Sequence, residues 1–258
     1  MNDRIFIWIA QACYAISAGV TIYRLRRSNP APTTNYATIL AGFILSTLFL
    51  YERGQVVHRC PLTNPFETTI FITWAAVLFY LMIGPAYRVS FLGAFTAPVA
   101  LTLGLIALFG LDDTARQLSS SHSPWVDFHA SIAILACGAF TLASVTGLMY
   151  VIQEHQLKSR KFTPSFLLLP SIEQLEVINF RLTLMGFVML TVGMIGGVIS
   201  YRIIGHLTTP KLIWAIATYL AYTGLIAGRL LWSWRGKRSI QLSMLVFVFV
   251  LIAYWGTQ

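Results

Sequence analysis

The sequence predicts an all-α, polytopic helical membrane protein with about eight transmembrane helices plus a short interfacial helix. Three observations carry this reading. Of the 258 residues, 57% are hydrophobic and only 10% are charged. The mean hydropathy is +0.70. Apolar runs of about 20 residues, long enough to cross the hydrocarbon core as helices, recur along the chain with short polar stretches between them. This excludes a water-soluble globule and leaves no room for a sizeable soluble domain, so residues 1–258 are read as a single integral-membrane domain. A net charge of +9 would suggest nucleic acid in a soluble protein. Here Lys and Arg fall at the ends of the apolar runs, where they set orientation, so the lipid bilayer is the expected partner and nucleic acid is not.

The expected spans lie at roughly residues 5–23, 36–51, 66–86, 91–110, 127–152, 181–201, 211–231 and 240–256. Met1 to Arg4 carries one Arg and one Asp, and no small-residue cleavage site follows the first run, which reads as a retained span and not a signal peptide. An even number of spans puts both termini on one side. Placing them outside leaves twelve Lys and Arg in the inner segments against six in the outer ones. The positive-inside rule therefore predicts both termini outside.

Between the second and third spans, Tyr51 to Glu67 reads YERGQVVHRCPLTNPFE. Asn64-Pro65 marks a turn, Thr63 or Asn64 caps the third span, and Glu67 sits in its first turn, where a carboxylate favours the helix dipole. Cys60-Pro61 offers either a thiolate for iron or a structural thiol. Cys13, Cys60 and Cys137 are far apart and make no CxxC pair, so neither a zinc site nor a disulfide framework is indicated. In the fourth span, Pro98 removes a backbone hydrogen bond, and the resulting kink is expected to shape a cavity. The following loop, with Asp112, Asp113 and SSSHSP, reads as solvated.

The fifth span opens with Ser123 as N-cap, Pro124 as first helical residue and Trp125 as an interfacial ring. After it, Ile172, Leu175 and Ile178 at helical spacing predict the short interfacial helix, with a packing role. The sixth span contains GMIGGVIS, whose small residues permit close helix approach, while Met185, Met189 and Met194 read as apolar fillers. The outer segment SYRIIGHLTTPK then brings Arg202, His206 and Lys211 together, a cationic pair suited to ligand carboxylates. A basic turn, WSWRGKRS, precedes the last span.

His129 lies one turn inside the fifth span. At that depth an imidazole must hydrogen-bond or bind a metal, because an unsatisfied polar group in hydrocarbon costs several kcal/mol. The bland alternative is a hydrogen bond to water or to a neighbouring helix. The topology puts His58, His122, His129 and His206 on the outer side and His155 on the inner side. Imidazoles gathered at one membrane face suit a metal or haem iron. Solvated loop histidines are the competing reading.

In order along the chain, GQVVHRCPLTNPFETTIFITWA, FLGAFTAPVAL, VDFHASIAILACGAF, LPSIEQLEVINFRLTLMGFVMLTVGMIGGVI and WRGKRSIQLSMLVFVFVLIAYWG resemble blocks of the cytochrome c assembly protein family, the haem-handling membrane proteins of the CcsA and CcmC type. The resemblance runs from about Arg53 to the end of the chain. It implies haem as cofactor at the outer face, with His129 matching the first of the family's flanking axial histidines. His206 or His58 would be the second axial ligand, and Arg202 and Trp125 would contact the cofactor.

The departures from the family pattern are specific. Where the family's WWD loop follows the sixth span, Tyr201 to Lys211 holds neither the tryptophans nor the aspartate, and the family's intramembrane histidine aligns with Ala227. This resembles the WWD-lacking, HemX-like and YpjD-like branch. The resemblance implies haem binding or presentation for cytochrome c maturation, not a complete synthase, in the bacterial inner (cytoplasmic) membrane. Its partners would be haem and other maturation proteins or a haem-biosynthesis enzyme. A different class of function is a membrane scaffold or regulator of haem biosynthesis without bound haem, in which His129 is structural. A small-solute transporter fits less well, since no pair of broken helices with intramembrane acids and no internal repeat is visible.

Overall fold

In hydrocarbon a chain segment must satisfy its own backbone, and each apolar run does so as a continuous helix. The computed structural model describes residues 3–27, 33–57, 59–86, 92–111, 124–159, 170–204 and 209–256. Among these it has eight helices: α1 (Asp3–Arg27), α2 (Thr33–Val57), α3 (Pro65–Ala86), α4 (Leu92–Gly110), α5 (Pro124–Ser159), α6 (Ile172–Ile204), α7 (Thr209–Leu231) and α8 (Lys237–Gly256). Within the described residues α1, α3, α4, α5, α6 and α7 are long and apolar enough to cross a membrane, and α2 and α8 pack into the same bundle. The protein is a polytopic helical integral membrane protein.

One expectation changes. The segment around Ile172, Leu175 and Ile178 is not a separate interfacial helix but the first turns of α6, which runs unbroken for 33 residues. Neither Gly nor Pro interrupts Ile172 to Met185, and the buried stripe Leu175, Ile178, Leu182 continues at helical spacing straight into the span. The helix starts with a capping box: the Gln174 amide N–H donates to Ser171 Oγ (3.2 Å) while the Ser171 N–H donates to Gln174 Oε1 (3.3 Å).

α5 is the hub, packing most extensively on α6 and also on α3 and α8, while α1, α2 and α4 complete the other side of the bundle. Asn179 on α6 donates to the Ala143 carbonyl of α5 (2.7 Å) and to Ser243 Oγ of α8 (3.3 Å), so one buried amide ties three helices. The end of the bundle where α6 begins is held by charge. Arg229 pairs with Glu176 at 3.1 Å and lies over the Phe180 ring at 4.2 Å, and Lys237 pairs with Glu154 at 3.3 Å. Pro98 is accommodated within α4. A pocket of about 480 Å³ lies elsewhere, lined by Leu50, Tyr51, Gly54, Gln55 and Arg59 at the end of α2.

Candidate functional site

The site is assembled at the end of the bundle opposite those ion pairs, where three chain segments meet. The first is the turn before α3. Asn64 caps the helix, its Oδ1 accepting from the Glu67 N–H at 2.7 Å. Glu67 is fully buried and accepts from the Thr63 N–H (2.8 Å), the Thr63 hydroxyl (2.7 Å) and Arg53 Nε (2.7 Å). These bonds fold residues 59–64 back over the bundle, and Cys60 Sγ meets Ser131 Oγ of α5 at 3.2 Å.

Burial pushes the Cys60 thiol above its ordinary pKa; the Ser131 hydroxyl opposes the rise, and the carboxylates of Asp127 and Glu67 add smaller contributions to it. At neutral pH, without a metal, Cys60 is therefore a thiol in contact with the Ser131 hydroxyl, an arrangement that suits the structural reading. Its alkylation by an impermeant maleimide is expected to be slow at pH 7 and to accelerate only above the ordinary cysteine range. Fast labelling at pH 7 would contradict this.

The second segment is the start of α5. Trp125 and Phe128, 43% and 42% exposed, form an edge-to-face pair with centroids 6.1 Å apart. Asp127 and Ser131 face the Cys60 turn, and His129 turns toward α6, the third segment. His129 Nδ1 lies 2.6 Å from the carbonyl oxygen of Gly193. A carbonyl oxygen only accepts, so Nδ1 carries the proton, and in the neutral ring Nε2 keeps its lone pair. A Cβ at Gly197 would stand 3.0 Å from the ring's Cε1 and Nδ1, and one at Gly196 would stand 3.1 Å from Phe128 Cδ1. The glycines of GMIGGVIS thus form the notch in which the imidazole rests.

The two readings of His129 are not exclusive, because one nitrogen bonds the neighbouring helix and the other is available as a ligand. Of the remaining expected site residues, Trp125 stands one turn before His129, and Arg202 lies in the last turn of α6, described for its backbone only. His58 and His206 lie outside the described residues. Gly193, Gly197 and Phe128 were not among the expected site residues. For the two glycines the only sequence signal is the small-residue run, which predicts close approach but not the partner.

Among the described residues no three His, Cys, Asp or Glu side chains gather as a self-sufficient metal centre. Haem makes a smaller demand, since the macrocycle brings four nitrogens and the protein supplies axial ligands. One imidazole with a free Nε2, beside two exposed aromatic rings, fits that demand.

The profile of the cytochrome C assembly protein family matches residues 62–258. The chain belongs to this family. The match opens at the capped turn before α3 and takes in α5 and α6, so every described segment of the site except Arg53 to Cys60 and Pro61 lies inside it. Similar proteins include the cytochrome c biogenesis protein CcsA of Guillardia theta, 24% identical over 245 residues that cover 86% of this chain and 81% of the relative. CcsA of Prochlorococcus marinus (strain MIT 9215) is 26% identical over 247 residues, 86% and 80%. CcsA of Synechococcus sp. (strain CC9902) is 27% identical over 247 residues, 85% and 81%. Membership in the family gives the chain a role in cytochrome c maturation with haem handling and disfavours the scaffold or regulator reading.

Proposed function

We propose that this cytochrome c assembly family protein binds haem at the outer end of α5 and presents it for cytochrome c maturation, with His129 Nε2 as one axial ligand. The observation that carries the reading is the 2.6 Å contact between Nδ1 and the Gly193 carbonyl. It assigns the ring proton to the nitrogen that faces α6 and leaves the other nitrogen as a Lewis base, the arrangement that second-shell carbonyls impose on metal-binding histidines. When bound, haem supplies the iron and the macrocycle that is handed on. The protein's own groups would bind and orient it: Trp125 and Phe128 would offer aromatic area to the macrocycle, Arg202 a cation to its carboxylates, and His206 or His58 a second nitrogen to the iron.

The excess of Lys and Arg in the inner segments supports a membrane orientation with both termini outside and the site at the outer face of a bacterial inner membrane. Other maturation proteins are the partners that this placement suits. The WWD-free segment Tyr201 to Lys211 supports a place in the WWD-lacking, HemX-like branch, with binding and presentation as the activity.

The test is the absorption spectrum of the protein purified from haem-replete cells. A Soret band is expected in the wild type and absent in His129→Ala. No band in the wild type, or a band unchanged in the His129→Ala, His206→Ala double variant, would sink the proposal.

A further inference from the structure

We propose that α6 is the positioning element for the haem ligand: the Gly193 carbonyl selects the imidazole tautomer, and the absence of a side chain at Gly197 sets where the ring sits. The inference rests on the reading of His129 as an axial ligand and adds to it the reason why Nε2 is the coordinating atom.

A neutral imidazole can carry its proton on either nitrogen. With the proton on Nε2, that nitrogen has no lone pair to give and coordination fails. The Gly193 carbonyl, 2.6 Å from Nδ1, rewards only the tautomer protonated there. The same bond makes the ring more electron-donating toward a metal at Nε2, because the polarised N–H pushes density into the ring. The bond length depends on how closely the ring approaches α6, and Gly197 governs that approach. A Cβ there would meet Nδ1 and Cε1 at 3.0 Å, so the ring must give way by a few tenths of an ångström. At Gly193 itself a Cβ meets the Ala133 nitrogen at 3.5 Å, Ile132 Cγ2 at 3.6 Å and the His129 carbonyl oxygen at 3.7 Å, all ordinary contacts that leave the ring where it is. Two glycines one turn apart on the same helix are therefore predicted to behave differently: Gly193 matters through its backbone carbonyl, Gly197 through its missing side chain.

The experiment is haem titration of the full chain in detergent, followed by absorbance. Wild type and Gly193→Ala are expected to bind alike, and Gly197→Ala more weakly, by up to about tenfold, the lower end of what losing a second-shell contact outright costs. The midpoint potential of bound haem is expected to rise in Gly197→Ala, since a ligand whose bond to its carbonyl partner is lengthened donates less; a mere loss of packing would leave the potential where it was. His129→Gly gives a second route. Added imidazole is expected to restore binding, and 1-methylimidazole, which has no N–H to offer Gly193, to restore it about tenfold less well at equal concentration.

Equal rescue by the two bases, or an unchanged affinity and potential in Gly197→Ala, overturns the positioning role while the ligand assignment stands. A wild type that binds no haem fails at the earlier step and overturns the ligand assignment itself. If His129→Gly does not fold, the comparison of Gly193→Ala with Gly197→Ala decides alone.

Discussion

Glu67→Ala is expected to destabilise the protein by about 3–5 kcal/mol, the cost of removing one member of a buried ion pair. Glu67 is fully buried, and its carboxylate accepts from Arg53 Nε, the Thr63 N–H and the Thr63 hydroxyl, all within 2.8 Å. Alanine leaves the buried Thr63 donors and the largely buried Arg53 guanidinium without this acceptor, which is costlier than never having made the bonds. Glu67→Gln keeps the shape and one acceptor oxygen and is expected to lose less. The readout is thermal unfolding in detergent. A second readout ties stability to the site: the turn of residues 59–64 docks through Cys60 on Ser131, two residues from His129. The same Glu67→Ala variant is therefore expected to label faster at Cys60 and to hold less haem. Arg53→Ala should mimic it, and the double variant should cost less than the sum of the two single ones, because they remove a shared interaction. Full additivity, or a loss below about 1 kcal/mol in Glu67→Ala, would show that the pair does not hold the turn.

How much of this was legible in the sequence differs from one residue to the next. Asn64-Pro65 followed by Glu67 predicted a capped helix start, and the cap is there, because capping depends on residues within one turn of each other. The partner of the Glu67 carboxylate was not legible. Arg53 is fourteen residues away, on the preceding helix, and no local periodicity links them. The same limit applies at His129. Its position one turn inside a span said that it needed a partner, and GMIGGVIS said that some helix would come close. Only the packing of α6 on α5 shows that each answers the other. At the start of α6 the amphipathic pattern of Ile172 to Ile178 predicts a separate short helix, and the chain instead continues into the span. A helix that leaves the membrane has the same pattern as one that lies along its surface, and what separates them is a break, which this segment lacks.

The other large effect lies deeper in the bundle. Gly138→Leu is expected to prevent stable folding, and Gly138→Ala to destabilise by about 1–3 kcal/mol. At this point α5 crosses α3 so closely that a Cβ on residue 138 would stand 2.3 Å from Ala75 Cβ, 2.9 Å from the Ala75 carbonyl carbon and 2.9 Å from the Ala76 nitrogen. Two of those three atoms belong to a helix backbone, so no rotamer change relieves the clash and the helices must separate. This differs from Gly197, where the obstacle is a side-chain ring that can shift. It differs also from Gly19 and Gly224, where a Cβ meets nothing within 4 Å. Alanine at those two positions is expected to be neutral or to stabilise by about 0.5–1 kcal/mol through helix propensity alone. The comparison of the three alanine variants by thermal unfolding in detergent separates propensity from contact, and equal stability in all three would refute the close crossing. The crossing matters for function because α3 starts at the Asn64 cap and α5 carries His129. A wedge at Gly138 parts the two helices whose first turns make the site, so haem occupancy is expected to fall in Gly138→Ala even in the fraction that remains folded.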